Sequence, residues 1–324
     1  MRARLPNTPS RLAVALLLAL VLAFVLSSCG GSSSPSAQSL VNDSFSARST
    51  INSAQVDLAL AVSGSGSSSS SKPLSLHLSG PFQSAEGKFP SFALQLRLSA
   101  SGHALAAGAT STGSALYVQL GGTWFSIPQS TFNALEQSYA QATKSASSAK
   151  ARSTFASLGI EPSHWISEPT NAGTATIGGV QTYHLTASVN VPGLLSDVSK
   201  LSSSGSAVGL TALPGAGSLS PAVISELGKS VHSAHVDIYT GKSDHILRRL
   251  DLTASLTSTP QTKAALGGLT SATITLSLQF SGINQPQTIS APSNPKPFSQ
   301  LLPALQQLTG ALGGATGSSG SLGG

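Results

Sequence analysis

Cys29 is the only cysteine among the 324 residues of the chain, and its thiol is the side-chain group most readily given a covalent substituent. It directly follows the run Leu26–Ser28, which ends in two small polar residues. Upstream lie three arginines and then an uncharged, apolar stretch from Leu12 to Leu26. A basic segment, an apolar segment and small residues before a cut site form the anatomy of a secretory signal.

The tetrapeptide that ends at Cys29 resembles the lipobox of bacterial lipoproteins, in which the thiol receives a diacylglyceryl group before the signal is cut. Residues 1–28 are then a signal peptide, and the acylated Cys29 anchors the chain to the outer face of the cytoplasmic membrane. Two alternatives stay open. The apolar stretch is short for a transmembrane anchor, which needs about 20 residues. A cleaved signal with an incidental cysteine would leave an unpaired thiol in an exported protein.

Sequence motifs for catalysis are missing. The chain has no G-x-S-x-G segment, so it shows no hydrolase nucleophile elbow. The two Gly-Lys-Ser triplets, at 228–230 and 241–243, lack the glycine five residues earlier that a phosphate-binding loop requires. We therefore predict no enzyme, no catalytic residue and no cofactor. An enzyme would need a Ser/His/Asp site that is assembled only in space.

His232, His235 and Asp237 form the one cluster of residue types that could ligate a metal. The local pattern places His232 at the end of a helix and His235 at the start of a strand, so their rings need not converge. We predict no metal site, and interpret His184 as a partly buried or surface histidine of a strand.

Charge excludes one class of partner. The chain has 17 basic and 11 acidic residues, for a net charge of +6. Loss of the signal would leave 14 basic residues against 11 acidic ones, a net charge of +3. The longest basic cluster is the pair Arg248–Arg249. Without a stripe of Lys and Arg that could follow a phosphate backbone, no nucleic-acid partner is predicted.

Alternation of apolar and polar residues predicts the elements that would position any site. Strict alternation indicates strands that are buried on one face, and sheets with one face in water are antiparallel. In the first half of the chain it covers 56–62, 74–78, 92–98 and 116–120, and strands are also predicted at 174–177, 180–189, 236–239, 246–256 and 273–280. Polar and glycine-rich breaks between the runs fit hairpin turns.

Helical spacing appears between the groups of strands. It predicts helices over 40–50, 128–148, 151–158 and 192–201, and a further helix that starts at Ser220-Pro221. Four prolines within 282–298 indicate an extended strap, and 298–308 fits one more amphipathic helix. Helices grouped between runs of antiparallel strands indicate an α+β domain. We assign the domain to residues 40–308, a lipidated Gly/Ser-rich tether to 29–39, and a disordered Gly/Ser-rich tail to 309–324.

Five segments of the chain resemble one family in their spacing and hydrophobic pattern. They are Tyr117–Trp124, Leu158–Trp165, Gly178–Leu185, Val236–Leu250 and Pro286–Pro292. The chain resembles actinobacterial lipoproteins of the LppX/LprAFG type, which are related to LolA-type carriers, from about residue 40 to residue 300.

The resemblance implies a strongly curved antiparallel half-barrel whose concave apolar face is covered by helices. It also implies a cavity for the acyl chains of a lipid or lipid-linked glycan, and hence a carrier or chaperone of the cell envelope. The candidate cavity-lining residues are Val56, Leu58, Leu60, Leu76, Leu94, Leu96, Leu116 and Val118. If the helices fill the half-barrel, these residues are ordinary core, and an adaptor, sensor or assembly factor that acts through protein partners is the alternative.

Overall fold

The computed structural model of the chain describes residues 35–46, 50–66, 73–85, 87–100, 103–145, 161–204, 221–260, 262–263, 269–301 and 303. The described residues from Ala37 onward belong to one compact unit. Within the described part, no helix is both long and apolar enough to span a membrane.

Four α-helices are described: α1 (Ala37–Ser44), α2 (Gln129–Ser145), α3 (Val191–Ser204) and α4 (Pro221–Ser230). The strands of the first half are β1 (Ser53–Gly66), β2 (Leu74–Gln83), β3 (Ser91–Ala100), β4 (His103–Thr112), β5 (Leu116–Leu120) and β6 (Thr123–Ser126). Those of the second half are β7 (Ile166–Ile177), β8 (Val180–Val189), β9 (Val231–Gly241), β10 (Leu247–Thr257), β11 (Leu269–Ser281) and β12 (Lys296–Pro297).

These twelve strands form one sheet in the order β12-β6-β5-β4-β3-β2-β1-β11-β10-β9-β8-β7. All neighbours pair antiparallel except the two-residue β12, which lies parallel to β6. The row is open, because in the described residues its end strands β7 and β12 each pair with one neighbour only. The predicted α+β fold, an antiparallel half-barrel sheet with helices, is confirmed as a large, mostly antiparallel sheet that does not close and that carries a few helices.

Three of the twelve described strands, β4, β6 and β12, are missing from the predicted set, and β4 is the longest of them. β4 is composed mainly of alanine, glycine and threonine, and Leu105 is its one large apolar residue. Alternation between alanine and glycine produces no hydrophobic period, so the strand has no signal of its own. Strand β4 forms because its backbone supplies hydrogen-bond partners to the edges of both β3 and β5.

The observed bounds of several elements also differ from the predicted ones. β7 begins at Ile166, well before the predicted Thr174, because a sheet edge can accommodate the irregular segment around Glu168 and Pro169. Helix α1 begins at Ala37, inside the segment assigned to the tether, and ends at Ser44. The helices predicted over 151–158 and in most of 298–308, and the tail 309–324, lie outside the described residues.

The buried core lies where α1 covers one end of the sheet. Leu40 and Val41 of α1 have no exposed surface, and neither do Leu185 of β8 and Ile238 of β9, against which this helix side packs. Burial of one such side chain contributes about 1.5–3 kcal/mol. A hydrogen bond also joins α1 to the turn between β9 and β10. It connects His245 Nδ1 and Asp43 Oδ2, which lie 2.9 Å apart.

Candidate functional site

One face of the sheet is apolar from β5 through to β8. The register places leucine opposite leucine on neighbouring strands, as in the pairs Leu60–Leu76, Leu60–Leu276 and Leu276–Leu252. Successive side chains of a strand point to opposite faces, so these residues and their alternate neighbours share one surface. We call this surface the apolar face and the opposite one the polar face.

All eight candidate lining residues belong to this apolar face. The structure places them on four strands, with Val56, Leu58 and Leu60 on β1, Leu76 on β2, Leu94 and Leu96 on β3, and Leu116 and Val118 on β5. The sequence analysis could not tell how the β3 and β5 residues lie relative to each other, because β4, the strand between them, was not predicted.

Strand β4 turns this part of the apolar face into a trough. Ala109 lies between Leu94 of β3 and Val118 of β5, and Ala107 lies between Leu96 and Leu120. Two short side chains are thus flanked on both sides by longer ones. The spacing of strands makes the trough about 10 Å wide from β3 to β5. Ala107 and Ala109 are the site residues that the sequence analysis missed, since alanine alternating with alanine or glycine carries no signal.

The side chains around this trough are only half-buried. Every one of the eight candidate residues retains part of its exposed surface, as do both trough alanines and Leu120. Buried counterparts on the same face of the sheet are Leu185, Val236 and Leu252. The change occurs along a single row of leucines, because Leu60 and Leu76 are half-buried whereas Leu252 is buried.

An aromatic cluster lies at one end of the trough. The Phe89 ring stands 5.4 Å from Phe132 and 5.5 Å from Tyr139, both on α2, and 6.4 Å from Phe92 of β3. Phe92 pairs with Ser111, two residues beyond Ala109 along β4. Edge-to-face aromatic pairs of this kind are favourable. They hold α2 beside the end of the trough.

The polar face carries a charged network over β8, β9 and β10. Asp237 and Asp251 lie directly opposite each other, an arrangement that is destabilising unless each carboxylate is neutralised. His184 Nε2 lies 2.7 Å from Asp237 Oδ1. Arg249 Nε lies 2.7 Å from Asp251 Oδ2, as an ion pair without hydrogen-bond geometry.

Tyr239 lies within this network. Its ring stacks on the His184 ring, with centroids 4.6 Å apart. Burial, and after it the charges of Asp237 and then Asp251, raise the pKa of the Tyr239 hydroxyl. Negative neighbours and lost hydration both disfavour a phenolate.

The possible metal cluster of the sequence is not assembled in the structure. Asp237 contacts His184, and His232 and His235 are exposed. Among the described residues, no three His, Cys, Asp or Glu side chains are placed to hold a metal ion. Cys29, the predicted lipid attachment site, lies outside the described residues.

Similarity to known proteins is confined to solved structures. No protein-family model matches the chain, and no curated protein matches it. The crystal structure of LprF from Mycobacterium bovis matches with a TM-score of 0.40 and 12% identity, over 79% of this chain and 96% of that one. The lipoprotein LppX from Mycobacterium tuberculosis matches with a TM-score of 0.36 and 14% identity, over 78% and 98%.

A LolA superfamily protein from Nitrosomonas europaea also matches, with a TM-score of 0.19 and 10% identity over 78% of this chain and 95% of that one. LprF and LppX are of the type that the five segments of the sequence resemble.

Proposed function

We propose that the chain is a non-enzymatic, membrane-anchored lipoprotein that binds an acyl chain of a lipid or lipid-linked glycan on its apolar face. It acts as a carrier or chaperone outside the cytoplasmic membrane. The observation that carries the proposal is the trough over Ala107 and Ala109, whose leucine and valine walls are half-buried. A filled core would bury these side chains, as it does at β8–β10.

The physical basis of binding is the hydrophobic effect. Each methylene that leaves water contributes about 0.8 kcal/mol, so eight methylenes provide roughly 6 kcal/mol before the cost of ordering the chain. No side chain of the trough would transfer a proton or form a covalent bond. The aromatic cluster of α2 would close one end, and movement of α2 would open it.

Uptake of a fluorescent fatty acid by matched variants tests the trough. Ala107→Leu fills the trough, whereas Ala106→Leu adds the same side chain at an exposed position on the polar face of the same strand. We expect Ala107→Leu to weaken uptake at least tenfold and Ala106→Leu to leave it unchanged. Circular dichroism would verify that both variants fold. Equal uptake by the two variants would show that the trough is not the site.

Native ligands provide a second test. The Cys29→Ser variant, purified from an actinobacterial host and extracted for mass spectrometry, should release an acylated lipid that Ala107→Leu in the same background lacks. Repeated absence of lipid from the first protein, together with no uptake of the probe, would reject the carrier. An apolar face that instead retains a protein from the host would favour the adaptor.

Labelling with a palmitate analogue tests the anchor separately. We expect the chain to become labelled and to sediment with membranes, and Cys29→Ser to lose the label. Label retained by Cys29→Ser would contradict attachment at this residue. Acylation by two chains would give the stable anchoring that a single chain cannot provide.

A further inference from the structure

The two outer edges of the sheet end differently. At one edge the last strand is β12, whose two residues pair with β6, and Pro297 has no N–H to offer to a further strand. At the other edge lies β7, a strand of twelve residues. A long, exposed edge strand presents a row of free backbone groups to other chains. β7 is therefore the edge at which the sheet can be extended.

The first half of β7 carries features that hinder such pairing. Pro169 lies in it, Glu168 has a positive φ of 53°, and the register with β8 shifts twice before it becomes regular at Gly173. The second half, Gly173–Ile177, pairs with β8 residue by residue and has neither a charged residue nor a proline. It lacks the devices with which proteins block an edge strand. We call Gly173–Ile177 the open edge.

Hairpin geometry decides which backbone groups of the open edge are free. The two-residue turn Gly178–Gly179 joins Ile177 to Val180, and the residues that flank such a turn exchange backbone hydrogen bonds with each other. Bonding to β8 then recurs at every second residue of β7. The N–H and C=O groups of Thr174 and Thr176, which lie between the bonded positions, therefore point away from β8.

The opposite strand agrees with this assignment. Gln181, which lies opposite Thr176, turns its carbonyl group to β9, where Lys242 N lies 3.0 Å from it. Thr176 therefore has no backbone hydrogen bond to β8. Thr174 and Thr176 are both exposed, and in the part of the chain that the structure describes no other segment pairs with their outward backbone groups.

We infer that the open edge pairs with the open edge of a second copy of the chain, antiparallel and about a twofold axis at Ala175. In this register Thr174 of each copy lies opposite Thr176 of the other. Each threonine pair exchanges both of its backbone hydrogen bonds, because both residues turn these groups outward. Shifting the strands so that Thr174 meets Thr174, or Thr176 meets Thr176, would satisfy only one such pair. The inference does not depend on lipid binding.

Side chains of the open edge complement one another in this register. Threonine lies opposite threonine, which is a favourable cross-strand pair, and Ala175 meets only the methyl group of its copy. Ile177 falls opposite Gly173 of the second copy, where a side chain can be accommodated, since a Cβ atom built at Gly173 would meet nothing within 4 Å. No charge faces a like charge across the axis. Twofold symmetry makes each of these matches occur twice, which favours a second copy over an unrelated strand.

Disulfide trapping tests the pairing directly. In the Cys29→Ser background, Ala175→Cys places the only thiol of each chain on the proposed axis. Residues at this non-hydrogen-bonded position would have Cα atoms about 4.5 Å apart, which a disulfide can span. We expect mild oxidation of the full chain in detergent to produce a covalent dimer. The matched variant Ala106→Cys, at an exposed alanine of β4, should stay monomeric.

Analytical ultracentrifugation provides a second measurement that needs no new thiol. Thr176→Pro removes an outward N–H but none that bonds to β8, so it should weaken dimer formation at least tenfold. Thr176→Ser keeps the N–H and the hydroxyl, and should dimerise as the unmodified chain does. Circular dichroism would verify that both variants fold, and fatty acid uptake should be unaffected in both, which separates this edge from the trough.

Three results would overturn the inference. One is a chain that sediments as a monomer up to on the order of 100 μM. Another is Ala175→Cys forming no more covalent dimer than Ala106→Cys. The third is oxidation in the host that joins the thiol of Ala175→Cys only to a different protein, which would make the open edge a site for a foreign strand.

Discussion

Two regions of one sheet use the same sequence pattern with different results. In the buried region, formed by β8, β9 and β10 under α1, side chains of the apolar face such as Leu185 and Ile238 have no exposed surface. In the half-buried region, formed by β1 to β5, side chains of the same face, such as Leu94 and Leu96, remain partly exposed. Alternation alone therefore does not distinguish a core from a binding surface.

The difference lies in what stands above the sheet and beside each side chain. Helix α1 presses Leu40 and Val41 onto the buried region. In the half-buried region the alanines of β4 lower the surface between β3 and β5, and α2 approaches at one end through Phe132 and Tyr139. Small side chains beside large ones produce a depression that a flexible apolar ligand can fill.

The largest effect should come from truncation of leucines in the two regions. We expect Leu185→Ala to lower the free energy of unfolding by about 3 kcal/mol, because a close-packed site cannot collapse around the cavity. Leu96→Ala should lower the free energy of unfolding by only about 1 kcal/mol, because folding removes the Leu96 side chain only partly from water. Urea denaturation measures both. Equal losses would show that the two regions are packed alike and would remove the basis of the comparison.

A smaller effect should separate the histidine–aspartate pairs of the two regions. In the buried region His245 Nδ1 lies 2.9 Å from Asp43 Oδ2, and because a carboxylate only accepts, the imidazole N–H donates. We expect Asp43→Asn to cost about 0.5–1 kcal/mol in urea denaturation. Asp57→Asn, which changes the more exposed partner of His77 in the half-buried region, should cost less. A larger loss of stability in Asp57→Asn than in Asp43→Asn would mean that the hydrogen bond between His245 and Asp43 contributes little to the stability of the buried region.

The smallest effect concerns the polar face behind the buried region. The raised pKa of Tyr239 means that this hydroxyl should ionise above pH 10, where a tyrosine of the unfolded chain already titrates. Because the unfolded state loses its proton first, stability should fall as the pH rises from the unfolded pKa through the folded one.

Asp237→Asn provides the control for this titration. It removes one of the negative charges that raise the pKa of Tyr239, so the absorbance change of the phenolate should move to lower pH. Comparison with Tyr239→Phe assigns the signal to this tyrosine. An unchanged titration in Asp237→Asn would show that burial and Asp251, not Asp237, raise the pKa of Tyr239.

The sequence predicted most strands of the sheet because leucines and valines recur at every second position. β8 was predicted with both of its bounds, since apolar residues recur at every second position from Tyr183 to Val189 after the Gly178–Gly179 turn. β4 was missed because a strand of alanine and glycine gains its order from its neighbours. Alanines of this strand also form the floor of the trough. The sequence analysis therefore missed β4 and the site residues Ala107 and Ala109 for one reason, the absence of a hydrophobic period.

The sequence by itself determined the antiparallel sheet, its apolar face and the membership of eight candidate residues in that face, because a period of two is a local property. Tertiary structure decided that α1 buries one end of the face and that Ala107 and Ala109 lie between β3 and β5. These facts join residues far apart in the chain, and strand order and register settle them through long-range backbone pairing that no local pattern contains.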